Sequence, residues 1–181
     1  HIKKGSYFIV NLWNNKIFFW KNFLYKSSEG GFFMFESKSA QFSIESSKAN
    51  AAYLLSTEIT RMLNSINEQF SDLVILCIGT DRSTGDCLGP LVGHKLKSSY
   101  YIKNAFILGT LKEPVHAKNL NDIVEQVYKD SDNPLVIAID ASLGKNENIG
   151  KINLFRGPLF PGAGVNKNLK SIGDISITGI V

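Results

Sequence analysis

At 181 residues, with 44% hydrophobic and 20% charged side chains, the chain has the size and balance of one globular domain. Two cysteines, Cys77 and Cys87, exclude a disulfide framework or a cysteine-based metal repeat and fit a reducing, cytoplasmic compartment. The net charge of +4 does not signal a nucleic-acid partner. Residues 1–33 carry Lys3, Lys4, Lys16, Lys21 and Lys26 against Glu29 alone, which accounts for all of it and leaves the remainder neutral.

Residues 1–33 differ from the rest in other ways. They hold half of the aromatic side chains and both tryptophans, Trp13 and Trp20, and the first methionine is Met34. Glu29-Gly30-Gly31 stands where a purine-rich ribosome-binding site would read as codons, so translation from Met34 is expected. Residues 1–33 are then a non-native upstream segment or a loosely docked leader. The apolar residues between 7 and 25 are broken by Asn11, Asn14, Asn15, Lys16, Lys21 and Asn22, short of the uninterrupted stretch a spanning helix needs, so no membrane is expected. At the other end the chain stops at Ile180-Val181, inside an apolar run, and a longer product is expected.

Residues 34–181 read as a single α/β domain. Residues 46–70 have helical spacing through Ala51, Leu54, Leu55, Ile59, Met62, Leu63, Ile66 and Phe70, with Ser46 or Ser47 as the cap. Residues 73–79 form a continuous apolar run, the pattern of a strand buried on both faces. A helix follows over about 88–98, a strand over 105–109 and a helix over 119–130. A second apolar strand spans 135–140, and further strands span 151–155 and 175–181. Strands alternating with helices predict a three-layer α/β/α domain around a mainly parallel or mixed sheet, with the 73–79 and 135–140 strands adjacent or nearly so. In such sheets the site lies beyond the carboxyl ends of the strands.

The loop Gly79-Thr80-Asp81-Arg82-Ser83-Thr84-Gly85-Asp86-Cys87-Leu88-Gly89-Pro90 leaves the first such end. Gly79 ends the strand, and Gly85 and Gly89 are expected to loosen the backbone. Asp86 falls where the next helix begins, a position that serves a plain N-cap as well as a functional carboxylate. Asp140 closes the second apolar strand and serves equally as a site acid or a turn residue. Brought together, the two could share a proton, activate water or contribute to a cation site. His116, in the loop after the 105–109 strand, reads as a general acid or base or a metal ligand, or as a loop histidine bonded to the backbone. His94 reads as a surface or packing residue. Cys87 opens a helix, which could activate its thiol as the nucleophile of a pair with His116, but the neighbouring Asp86 carboxylate opposes thiolate formation and disfavours that reading. The segment Phe160-Pro161-Gly162-Ala163-Gly164-Val165-Asn166-Lys167 offers open backbone N–H groups for a carbonyl or an anion, or is only a tight connection.

Three ordered motifs, Gly-Thr-Asp-x-x-x-Gly-Asp-x-Leu-Gly-Pro, Ile-Ala-Ile-Asp-Ala and Phe-Pro-Gly-Ala-Gly-Val-x-Lys, resemble the YyaC-type sporulation proteins over about residues 47–181. That family is similar to the germination protease, which degrades small acid-soluble spore proteins, and more remotely to hydrogenase maturation endopeptidases. The resemblance implies a phosphorylase/hydrolase-like α/β fold and an endopeptidase with Asp86 and Asp140 as its catalytic acids. Asp81 and His116 are auxiliary candidates, and Gly79, Thr80, Gly162, Gly164 and Lys167 candidates for binding substrate. It also implies a protein or peptide substrate such as the small acid-soluble spore proteins, a mother-cell or forespore setting, and no cofactor. A homo-oligomer is left open. No metal is assigned, since the hydrogenase-maturation relatives use a histidine further along and this chain has none after His116. Phe160 stands where the germination protease has a histidine, and the chain is shorter than that enzyme. Both departures favour the alternative, a catalytically silent module that binds a peptide or spore component.

Overall fold

The computed structural model describes residues 7–10, 17–20, 42–99, 105–161 and 171–181. In the first 33 residues it shows two short strands, β1 (Tyr7–Val10) and β2 (Ile17–Trp20), paired antiparallel. The rest of what the sequence suggests for that segment lies outside the described residues. The body consists of β3 (Phe42–Glu45), α1 (Ala51–Asn64), β4 (Leu73–Cys77), α2 (Leu88–Ser99), β5 (Ala105–Leu108), α3 (Leu120–Asp130), β6 (Leu135–Ser142), β7 (Lys151–Arg156) and β8 (Ile175–Ile180).

Six of these strands form one sheet in the order β3-β7-β8-β6-β4-β5. Strands β8, β6, β4 and β5 run parallel, and β7 runs antiparallel to both β8 and β3, so the sheet is mixed. The expected neighbours β4 and β6 are paired directly, Leu73 opposite Leu135 through Cys77 opposite Ile139.

Alternation along the strands builds the three layers, because successive side chains point to opposite faces. Val74, Leu76, Val136 and Ala138 face α3, where Leu120, Ile123, Val124 and Val127 cover them. Ile75, Cys77, Ile137, Ile139 and Ile175 face the other way, against Leu55, Ile59, Met62 and Leu63 of α1 and Val92 and Leu96 of α2. Strands covered on both faces must be apolar at every position, which is why β4 and the first half of β6 read as unbroken hydrophobic runs. No helix among the described residues is long and apolar enough to cross a membrane.

Several boundaries differ from the sequence reading. Helix α1 covers only 51–64 of the expected 46–70. Its N-cap is Asn50, which makes no side-chain cap bond, and Ser46 and Ser47 lie in the preceding turn. The helix ends where the Ser65 hydroxyl donates to the Met62 carbonyl at 2.7 Å and accepts from Arg156 Nη1 of β7 at 3.2 Å. Helical spacing of apolar residues continues past this point, but a serine that bonds its own last turn competes with further helix. Strand β4 stops at Cys77 because β5 stops at Leu108; beyond it Ile78 pairs instead with Val115 in the following loop. Strand β3 was not anticipated. It forms only as the antiparallel edge partner of β7, and four residues carry too little pattern to show that alone.

Candidate active site

Chain connectivity places the site. Strand β4 leads through α2 to β5 on one side, and β5 returns through α3 to β6 on the other side of β4. The connections therefore diverge between β4 and β6, and the crevice at their carboxyl ends is the topological switch point, where open α/β sheets bind ligands. Asp86 stands in the loop after β4 and Asp140 near the end of β6, so the two sequence-nominated acids flank that crevice.

Asp86 is not an N-cap. It lies inside a 3₁₀ turn, Gly85–Cys87, that runs directly into α2, and its N–H already donates to the Ser83 carbonyl at 3.1 Å. Its own carbonyl accepts from the Thr80 N–H at 3.1 Å, which folds the loop back onto the strand end. This return depends on Gly79. Its φ of 139° suits glycine, and a Cβ there would lie 2.0 Å from the Asp86 carbonyl oxygen. The turn is clamped from the other side as well: Leu88 packs on Gly179 and Gly85 on Val181, at the end of β8. Gly89 is a contact residue and does not loosen the loop, since its α-carbon meets the Ile78 backbone.

Asp140 is not the end of its strand. Strand β6 continues through Ser142, because β8 is long enough to pair Thr178, Gly179 and Ile180 opposite Asp140, Ala141 and Ser142. The carboxyl is half-buried, and its Oδ1 accepts from the Ala141 N–H at 2.8 Å. Burial pushes the Asp140 carboxyl up to about 7; the Ala141 hydrogen bond opposes the rise and the Asp86 charge adds to it. The turn that carries Asp86 packs against β6, so the two acids belong to one electrostatic site. The raised Asp140 carboxyl owes more to desolvation than to the like charge the sequence suggested.

The auxiliary candidates divide. Thr80 is half-buried, and its Oγ1 accepts from the Arg82 N–H at 3.3 Å, ordering the loop; Asp81 beside it is exposed. His116 borders the site, since the preceding Val115 carbonyl accepts from the Gly79 N–H at 2.8 Å. Its bonds turn back into its own loop: its N–H donates to Asn119 Oδ1 at 2.8 Å, and its Nδ1 accepts from the Lys118 N–H at 3.4 Å. That is the backbone-bonded arrangement, with Nε2 left to carry the ring proton in the neutral form. His94 is exposed on α2. Cys87 is a half-buried free thiol, and Cys77 is buried, with its thiol pushed up to about 12 by desolvation. Phe160 is 48% exposed. Gly162, Gly164 and Lys167 lie outside the described residues. Among the described residues no group of three or more His, Cys, Asp and Glu side chains gathers as a metal ion would require. Thr178, directly across the register from Asp140, escaped the sequence reading; one threonine in an apolar strand gives no signal until its partner strand is known.

The half-buried Asp140 carboxyl sets a pH dependence of stability. The unfolded carboxyl ionises near 3.8 and the folded one near 7. The preference of the folded state for the proton is fully present below pH 3.8 and is lost as pH rises through 7. At pH 8 the ionised, desolvated group costs up to about 4 kcal/mol relative to low pH. Asp140→Asn, which cannot ionise, should therefore gain on the native protein between pH 4 and pH 8. Urea midpoints of both proteins across that range check this; a constant difference would mean that Asp140 does not retain its proton.

The site can now be set beside known proteins. The family model described as "Protein of unknown function (DUF1256)" matches residues 43–181, which span both acids and, from the second residue of β3, the whole main sheet. The "Uncharacterized protein YyaC" of Bacillus subtilis (strain 168) is 42% identical over 153 residues, 84% of this chain and 73% of that protein. The chain thus belongs to the DUF1256 family, the family of YyaC-type proteins.

Proposed function

We propose that this protein is an endopeptidase of the germination-protease type that uses Asp86 and Asp140 to hydrolyse peptide bonds in spore proteins. One observation carries the reading: burial pushes a half-buried carboxyl at the switch point up to about 7, within the field of a second carboxylate. Perturbed acids gather where acid–base chemistry is done, and an acid is most effective when its pKa lies near the working pH.

In this scheme the Asp86 carboxylate takes a proton from a water as its oxygen bonds to the scissile carbonyl carbon. Protonated Asp140 gives its proton to the leaving amide nitrogen as the C–N bond breaks. Asp86 ends protonated and Asp140 ionised, and exchange with solvent restores both. The resemblance to the germination protease supplies the substrate class, the small acid-soluble spore proteins, and a setting in the mother cell or forespore.

Incubating the purified protein with small acid-soluble spore proteins, followed by mass spectrometry, tests the proposal. Discrete fragments that require both acids are expected. Intact substrate held in a stable complex would favour the second reading, a silent peptide-binding module. Exposed Phe160, in place of the germination protease's histidine, is the observation on that side.

A further inference from the structure

The site contains a polar row that runs across three strands. Asp140 on β6 pairs with Thr178 on β8, and Thr178 pairs with Asn153 on β7. Ile137 and Ile139 of β6, Ile175 and Ile177 of β8, and Leu154 of β7 all face α1 and α2. Strict alternation puts Asp140, Thr178 and Asn153 together on the opposite face. Side chains in register on adjacent strands stand about 5 Å apart, so the three form one continuous strip.

Thr178 is the unusual member. It is only 9% exposed, yet its hydroxyl bonds none of the described residues. The next row down shows the ordinary solution: Ser176, more deeply buried and opposite Ala138, donates its hydroxyl to the Gly157 carbonyl at 2.6 Å. Buried hydroxyls are normally paired, and one left unpaired beside a functional carboxyl needs an explanation. No buried side-chain polar atom among the described residues is both sealed from solvent and unpartnered, so the Thr178 hydroxyl keeps a solvent-accessible edge beside Asp140. A cation of β7 on this face, Lys151 two residues before Asn153, has its Nζ donating to Asn148 Oδ1 at 2.8 Å. Beyond Asp140 itself the strip therefore offers neutral donors and acceptors. That chemistry suits an amide better than a phosphate or a carboxylate.

We propose that Thr178 is a substrate-contacting residue of the Asp140 site, its hydroxyl donating to a main-chain carbonyl of the bound peptide while Asn153 extends the strip. The assignment rests on the peptide reading given above and adds a binding residue that none of the three motifs contains.

Thr178→Val keeps the shape and removes the hydroxyl; Thr178→Ser keeps the hydroxyl. Each is compared with the native protein for cleavage of a small acid-soluble spore protein, and in an Asp86→Asn background for binding of the same protein. Thr178→Val should lose about tenfold or more in kcat/KM or in Kd, with its thermal midpoint kept, and Thr178→Ser should recover most of the loss. Native behaviour of Thr178→Val in both assays would overturn the assignment. So would equal damage in the Val and Ser variants with a fallen thermal midpoint, which marks a structural role. The unmutated control separates the two levels. If it neither cleaves nor binds, the peptide reading fails and the role of Thr178 fails with it; if it does either, the outcome belongs to Thr178 alone.

Discussion

If the protein is the endopeptidase proposed above, Asp86→Asn and Asp140→Asn should each lower cleavage of a small acid-soluble spore protein by about a thousandfold while leaving the fold intact. Asparagine has nearly the shape of aspartate, so packing of the Asp86 turn against β6 survives both changes. In the proposed mechanism what is lost is proton transfer, through opposite halves of the same step. Asp86→Asn removes the base that activates water. It also removes the charge that helps to raise Asp140, so the remaining acid should titrate lower. Asp140→Asn removes the donor to the leaving group. The native pH profile should be bell-shaped, its alkaline limb falling near 7 as Asp140 ionises. A folded variant of either kind that cleaves at the native rate would remove that residue from the mechanism. An alkaline limb unmoved from near 7 in an Asp140→Glu variant of measurable activity would assign that limb to another group. Because the residues of a catalytic unit act together, the double variant should be scarcely worse than either single one.

The second large effect lies in the packing that positions the Asp86 turn. Helix α2 approaches the sheet closely enough for backbone to touch backbone. A Cβ on Gly89 would lie 2.0 Å from the Ile78 carbonyl oxygen, and one on Gly93 2.1 Å from the Gly109 carbonyl oxygen. Gly109 is itself wedged against the Cys77 carbonyl, where a Cβ would come within 1.8 Å, at a φ of 82°. Backbone cannot yield as a flexible side chain can, so alanine at these positions must push the helix away. Gly89→Ala and Gly93→Ala should each destabilise the protein by about 3 kcal/mol or more, against a usual cost near 1 kcal/mol for a single substitution. Gly109→Ala should be at least as severe, because it adds backbone strain to the clash. Gly85→Ala is the control: its Cβ would meet only the Val181 side chain, at an ordinary 3.5 Å, and stability should change little. Urea unfolding of the four variants decides it. Equal midpoints for Gly85→Ala and Gly93→Ala would show that the close approach is not what holds α2. Gly89→Ala should also reduce any activity more than stability alone accounts for, since α2 cannot shift without carrying Asp86 with it.

Other features of the fold and site separate by the range of the information they need. The apolar runs of β4 and β6 identified themselves, because a strand covered on both faces must be hydrophobic at every position, and their adjacency followed from the alternation of helices and strands. The two candidate acids were legible from the same runs: Asp140 adjoins the apolar half of β6, Asp86 lies in the loop that leaves β4, and parallel strands deliver their carboxyl ends to one edge. The short strand β3, the early end of α1 and the extension of β6 to Ser142 were not legible. Each is fixed by a partner distant in the chain: β7 for Phe42–Glu45, Arg156 for Ser65, and the length of β8 for Ala141 and Ser142. Gly89 shows the limit most plainly. A glycine after a loop reads as freedom, and only the Ile78 carbonyl against its α-carbon shows that it is there for contact. Thr178 is the same lesson at the site. Local sequence carries propensity and periodicity, and these placed Asp86 and Asp140. Register between strands that are far apart in the chain is set by how whole faces pack, and only that packing put a threonine beside Asp140.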